Sequence, residues 1–239
     1  AATYTHQQSK PSRIQELIRE AGVETLRPEL LQDCSRKTIE LMIGLAALNT
    51  FDEVFLEDPE ESNSKDPNPD IIIRSTSENF GIACKSLNSL NRVNLRERIE
   101  EGLEQIDRAI ACGKIDKRRG IVLLDISPLL NHDALYIPSK NRVWPLNHVP
   151  QILLETINDT LGKMLGAGPS STLNETVGDL FKKHQAAPCV LVYAHTVMIA
   201  SSVESTAPRY MKAMKLLFAG DHSKVKVFSE RLNRALHCQ

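Results

Sequence analysis

Long apolar runs are missing from this 239-residue chain. None approaches the ~20 residues that a membrane-spanning helix needs, and the first stretch, Ala1 to Ser12, is polar. The expectation is a soluble, cytoplasmic protein with no signal peptide and no membrane anchor. Cysteine is scarce: Cys34, Cys84, Cys112, Cys189 and Cys238 are odd in number, scattered and never in a C-x-x-C pair. That pattern argues against a disulfide framework and a structural zinc site, and for reduced thiols in a cytosolic compartment. The triplets Asn158-Asp159-Thr160 and Asn174-Glu175-Thr176 therefore carry no weight as glycosylation sites. Net charge is also missing, at −1, and with 41% hydrophobic residues the chain is neither disordered nor an acidic tail. No internal repeat or low-complexity tract interrupts it, and its length suits a single domain.

The neutral total conceals two charged regions. Between Asp52 and Asp70 eight acids and one base give −7, and from Ser205 onward seven bases and two acids give +5. Two readings stand: solvated surfaces, or an acidic corner for a metal together with a basic track for a polyanion.

Hydrophobic spacing predicts helices over 11–21, from after Ser35 through Leu48, over about 94–112, 150–165, 173–184 and 224–237. Asn94 followed by Glu97 has the form of a capping box. Strands are expected at 53–57, 70–74, 80–87 and 120–127, with 75–79 as a hairpin turn. Two further buried strands are expected at 189–200 and 209–219, and 128–150 reads as a long loop or insertion. The class is α/β, a mixed sheet flanked by helices.

The chemistry is concentrated in Pro69-Asp70-Ile71-Ile72-Ile73-Arg74 and Gly81-Ile82-Ala83-Cys84-Lys85-Ser86-Leu87. Alternation along a strand points Gly81, Ala83 and Lys85 one way and Ile82, Cys84 and Leu87 elsewhere. Pairing of the two strands would bring Asp70 near that face, a carboxylate beside an ammonium on a sheet edge.

In this arrangement the chain resembles the PD-(D/E)xK phosphodiesterase superfamily, the restriction-endonuclease-like nucleases. The resemblance covers about residues 35–127, in the order helix with a Glu, strands, Pro-Asp, x-x-Lys strand, helix, strand; the rest would complete the sheet or add a substrate-binding subdomain. It implies a metal-dependent nuclease with Mg²⁺ or Mn²⁺, acting on DNA in preference to RNA, and a homodimer as one arrangement. Asp70 would be a metal ligand and Lys85 the catalytic lysine. Hard cations prefer carboxylate oxygens and lower the pKa of bound water, while charge developing on phosphate needs positive groups nearby.

Ala83 stands where the family has its second acid, so hydrolysis is expected to be impaired. The substitution is read as engineered, in keeping with an Ala1-Ala2 start without Met; as a natural loss leaving a module that binds nucleic acid or a protein; or as a migrated acid, with Glu40 or Glu78 supplying the oxygen. Glu40 is either an additional metal-site acid or a first-turn Glu favoured by the helix dipole. Gln105, on the flank of its helix, either reaches the site or lies on the surface. Ser86 and Asn88 are candidates for phosphate contact. His195 is read as a hydrogen-bonded structural histidine, Tyr193 and Tyr210 as core residues or base-stacking rings, and Gly166 to Ser170 as a turn.

Overall fold

The computed structural model describes residues 4–5, 31–56, 69–136, 143–166, 169–202, 205–221 and 223–237. The helix expected over 11–21 and most of the acidic stretch (57–68) lie outside them. Strand β1 is Tyr4–Thr5, helix α1 is Leu31–Leu48, and β2 (Glu53–Leu56), β3 (Ile71–Arg74) and β4 (Asn79–Ser86) follow. Helix α2 (Arg92–Ala111) leads to β5 (Gly120–Asp125), then α3 (His132–Tyr136), β6 (Trp144–Pro145), α4 (Val149–Leu165) and α5 (Pro169–Lys183). The long hairpin β7 (Cys189–Ser201) and β8 (Thr206–Phe218) precedes α6 (Ser223–His237).

The eight strands among the described residues form one mixed sheet. Strands β1 to β4 are successively antiparallel, β4 and β5 are parallel, and β5 is parallel to β7. Beyond the end of β5 the same side of β7 is taken by β6, and β8 pairs with β7 along its whole length. The region after residue 128 thus continues the sheet. Helices α2, α4 and α5 cover one face, packing on Ala83, Val122, Leu124 and Val190. Helices α1 and α6 cover the other, over Ile82, Cys84, Leu123 and Tyr193. Burial on both faces explains why β5 is apolar from Ile121 to Leu124.

Helix α1 spans Leu31–Leu48, ahead of the expected start after Ser35, because its apolar stretch from Ile39 occupies only part of a longer helix. Glu40 therefore sits in mid-helix, and the first-turn dipole reading is corrected. The cap of α2 is Asn91, whose Oδ1 accepts from the Val93 N–H at 2.9 Å. Asn94 lies inside the helix and its Oδ1 is buried with no hydrogen-bond partner among the described residues, so the capping box was misplaced by three residues. Gly113, just past the helix, has φ +70°, the left-handed conformation glycine supplies at a helix end. Close approach of α2 to β5 requires Gly120, since a Cβ there would lie 2.1 Å from Ile106 Cγ2.

Two more expectations are revised. The stretch 128–150 is not a bare loop: a 3₁₀ turn (Ser127–Leu129), α3 and β6 fold within it, and Trp144 Nε1 donates to the Leu135 carbonyl at 2.8 Å. Among the described residues strand β8 is a border of the sheet rather than a buried strand, with Pro208, Arg209 and Tyr210 exposed.

Candidate functional site

Strands β3 and β4 pair with Ile71 opposite Ile82 and Ile72 opposite Gly81. Continued by one residue, that register sets Asp70 opposite Ala83. Opposed residues of an antiparallel pair share a face, and Lys85, two residues on, projects to the same side as Ala83. The side is the one covered by α2. Leu87 joins it, packing in the same cluster as Ala83, which corrects its expected orientation away from Lys85.

Asp70 is completely buried. Its Oδ2 accepts the Cys84 backbone N–H at 2.6 Å, so the carboxylate pegs the end of β3 to β4. This corner lies inside the sheet rather than on a sheet edge, because β2 and β5 flank the hairpin. The Lys85 ammonium donates to Gln105 Oε1 at 2.8 Å, from α2. The surface placement considered for Gln105 does not hold; it is buried, because the flank of α2 that carries it turns toward β4.

The other candidates separate from this group. Glu40 is fully buried on α1, across the sheet from Ala83 and Lys85. Glu78 pairs with Arg119 at the hairpin turn, seven residues before Lys85 and about 23 Å along the strand. It does not stand beside Asp70 and Lys85, and the reading of Glu78 as a migrated acid is corrected. Asn88 is exposed beyond the end of β4, and Ser86 Oγ makes a long contact of 3.5 Å to Asp125 Oδ2. Among the described residues no group of three His, Cys, Asp or Glu side chains is arranged to hold a metal ion.

Asp125, Ser127 and His132 form a second polar group that sequence reasoning missed. Where β5 ends, Asp125 Oδ1 accepts both the N–H of Ser127, at 2.9 Å, and its hydroxyl. Ser127 Oγ in turn meets the backbone N–H of His195 at 2.9 Å and the ring Nδ1 at 2.8 Å. The serine proton serves the carboxylate, so the network assigns the imidazole proton to Nδ1 and leaves the lone pair on Nε2. His132 Nε2 donates to the Ser127 carbonyl at 2.8 Å, and its Nδ1 accepts from the Thr196 hydroxyl at 2.9 Å. Side chains thereby satisfy a part of β7 that faces no strand between β5 and β6. His195 is hydrogen-bonded as expected, in a half-buried position. Burial lowers its pKa, opposed by the Asp125 charge and assisted by His132. The available signal was an acid closing the otherwise apolar run Gly120–Asp125.

Tyr193 is core, its hydroxyl 3.4 Å from that of Tyr210, and burial raises both phenols. Tyr210 is 46% exposed. Arg231, in the basic tail, lies over the Phe51 ring and donates to the Thr50 carbonyl, which ties α6 to the end of α1. No helix among the described residues is long and apolar enough to cross a membrane. Compared with protein-family models, with curated proteins and with solved structures, the chain has no match.

Proposed function

We propose that this chain is a restriction-endonuclease-like phosphodiesterase core, directed at nucleic acid and DNA above RNA, whose hydrolytic centre is disabled at Ala83. The observation that carries the reading is the approach of Asp70 to β4, where its Oδ2 accepts the Cys84 N–H at 2.6 Å between Ala83 and Lys85. The order α1, β2, β3, β4, α2, β5, with two antiparallel pairings and then a parallel one, supports it further. Gln105 supports it too, as a polar group that the following helix brings to the lysine.

The residues present do not fit a divalent ion. A hard cation takes six or more oxygens, several of them from carboxylates or carbonyls. Here one Asp70 oxygen is committed to a backbone N–H and the opposite position is a buried methyl. Ala83→Glu is expected to supply the second carboxylate, beside Asp70 and within reach of the lysine. A second reading, a nuclease-fold module that only binds nucleic acid or a protein, draws on the closure of this corner: Ala83 is packed in an apolar cluster and Lys85 is held by a neutral amide.

Cleavage of labelled single- and double-stranded DNA and RNA with Mg²⁺ or Mn²⁺, run for the native chain beside Ala83→Glu, tests the two. Cleavage by the Glu variant alone, with a metal site detected by calorimetry, supports the disabled nuclease. No metal binding and no cleavage by that folded variant overturns it in favour of the binding module.

A further inference from the structure

The β7–β8 hairpin carries a surface that the Asp70 corner does not use. Tyr193, His195, Val197 and Ile199 share a face with Met214, Lys212, Tyr210 and Pro208, as their pairing requires. Toward the core this face is closed by Tyr193 and Met214, and further out it opens, with Val197 41% and Tyr210 46% exposed. Neither strand contains an acid, and Lys212 of β8 lies on this face, while Arg209 and Lys215 alternate to the other, where Lys215 donates to Asn158 Oδ1.

Two rings are already stacked there. The centroids of His195 and Tyr210 are 5.5 Å apart with planes 27° from parallel. Both rings are held in place: Ser127 and Asp125 fix the imidazole, and the Tyr210 hydroxyl is anchored on Met42 Sδ at 3.1 Å. A rigid ring, half open to solvent and with Lys212 two residues along on the same face, loses little freedom when a planar group settles on it. Nucleobases all offer such a plane, and the phosphates between them match a basic, acid-free strand. A duplex hides its base planes; a single strand presents them.

We infer that the outer face of the β7–β8 hairpin binds single-stranded nucleic acid, with Tyr210 backed by His195 as the stacking platform and Lys212 toward the backbone. The inference rests on the nucleic-acid reading above and names the form of strand that the protein holds.

The test is fluorescence anisotropy with the full chain, without metal, on a labelled oligothymidylate of about 12 nucleotides, within the span a single-strand groove covers. Binding should weaken as salt rises, and Tyr210→Ala should lower affinity about tenfold or more, the effect of losing one stacked base. Tyr210→Phe should bind within about twofold of the native chain, since the ring rather than the hydroxyl stacks. Val197→Glu adds a negative charge directly across from Tyr210 without disturbing the core, and should weaken binding as well. Val227→Glu, on the exposed side of α6, should not. Equal affinity for native, Tyr210→Ala and Val197→Glu overturns the platform, as does absence of binding or binding indifferent to salt, the latter being the mark of a protein partner. Failure of each reading is separable. If Ala83→Glu cleaves and adding Tyr210→Ala leaves its KM unchanged, the platform alone is wrong; if Tyr210-dependent binding occurs but Ala83→Glu never cleaves, the nuclease reading alone is wrong.

Discussion

Asp70→Asn is expected to change the sign of its effect on stability when Ala83 is replaced by Glu. In the native chain the Asp70 carboxylate is buried and accepts the Cys84 N–H at 2.6 Å. A hydrogen bond to a charged group contributes about 1.5–3 kcal/mol net, and a neutral amide oxygen keeps roughly half of it, so Asp70→Asn should cost about 1 kcal/mol. Asp70→Ala, which orphans the N–H, should cost about 2–3 kcal/mol, or a fall in Tm of about 4–12 °C for a chain of this size. With glutamate at position 83 the balance differs. Directly opposed side chains have Cβ atoms about 5 Å apart, and two carboxylates at that separation repel by about 3 kcal/mol at an effective dielectric of about 20. Without metal, Asp70→Asn then relieves more than it loses and should raise stability by about 1–2 kcal/mol. Urea unfolding of the four chains in chelator gives the coupling directly as a double-mutant cycle. Equal effects of Asp70→Asn in both backgrounds would mean that positions 70 and 83 do not face each other, and the register argument would fall.

Three further outcomes are expected. Gly120→Ala should destabilise by about 1–3 kcal/mol through overlap with Ile106, whereas Gly162→Ala, within α4 and with no atom within 4 Å of the added methyl, should be neutral or stabilising by up to about 1 kcal/mol; thermal melts of the two settle the comparison. Among the described thiols, Cys112 is exposed while Cys84 and Cys189 are buried, and burial pushes the Cys189 thiol up to about 12. Ellman's reagent followed by peptide mass mapping should therefore label Cys112 in the folded chain and the other two only on unfolding; rapid labelling of Cys189 would contradict its place in the core. Burial holds the His195 pKa below that of the unfolded chain, so below the unfolded value near 6.5 the unfolded state binds more protons. Stability should be at its plateau above about pH 6.5 and decline as pH falls toward the folded pKa. The groups around the ring are Asp125, His132, Lys212, Tyr193 and Tyr210. The part of the decline due to His195 is the part that His195→Gln removes, and an unchanged pH profile in that variant would refute the assignment.

Legibility in the sequence followed the range of the forces involved. The elements from α1 to β5 could be read because each has its own pattern: continuous apolar runs in β3 and β5, a helical stripe from Leu95 to Ile110 in α2. The pairing of β3 with β4 was readable for the same reason, since a short hairpin fixes register locally. The cap of α2 was not, because Asn91 and Asn94 offer similar chemistry and only the path of the chain leaving β4 decides between them. Glu40 was misread because α1 begins before its apolar face does. The Asp125, Ser127 and His195 group was invisible because Ser127 and His195 are 68 residues apart and meet only when β5 and β7 lie side by side. The exposure of β8 was hidden too, since an apolar strand at a border and one in the interior have the same composition.

The position of this second group decides where a carboxylate could join Asp70 and Lys85. Lys85 and Ser86 are neighbours in sequence, but alternation sends them to opposite faces of the sheet. Ser86 goes with Asp125, over the cluster that contains Tyr193; Lys85 goes with Ala83, beneath α2. Asp125 is therefore on the wrong side of the sheet to complete a site with Asp70, and one of its oxygens already receives two donors from Ser127. Moving that carboxylate would also release the hydroxyl that holds His195 and the unpaired N–H of β7. Glu78 is held at the far end of β4 by Arg119, and Glu40 lies beyond the sheet on α1. An acid that joins Asp70 and Lys85 has to arise on the same face of the same hairpin, and the backbone offers position 83 for it.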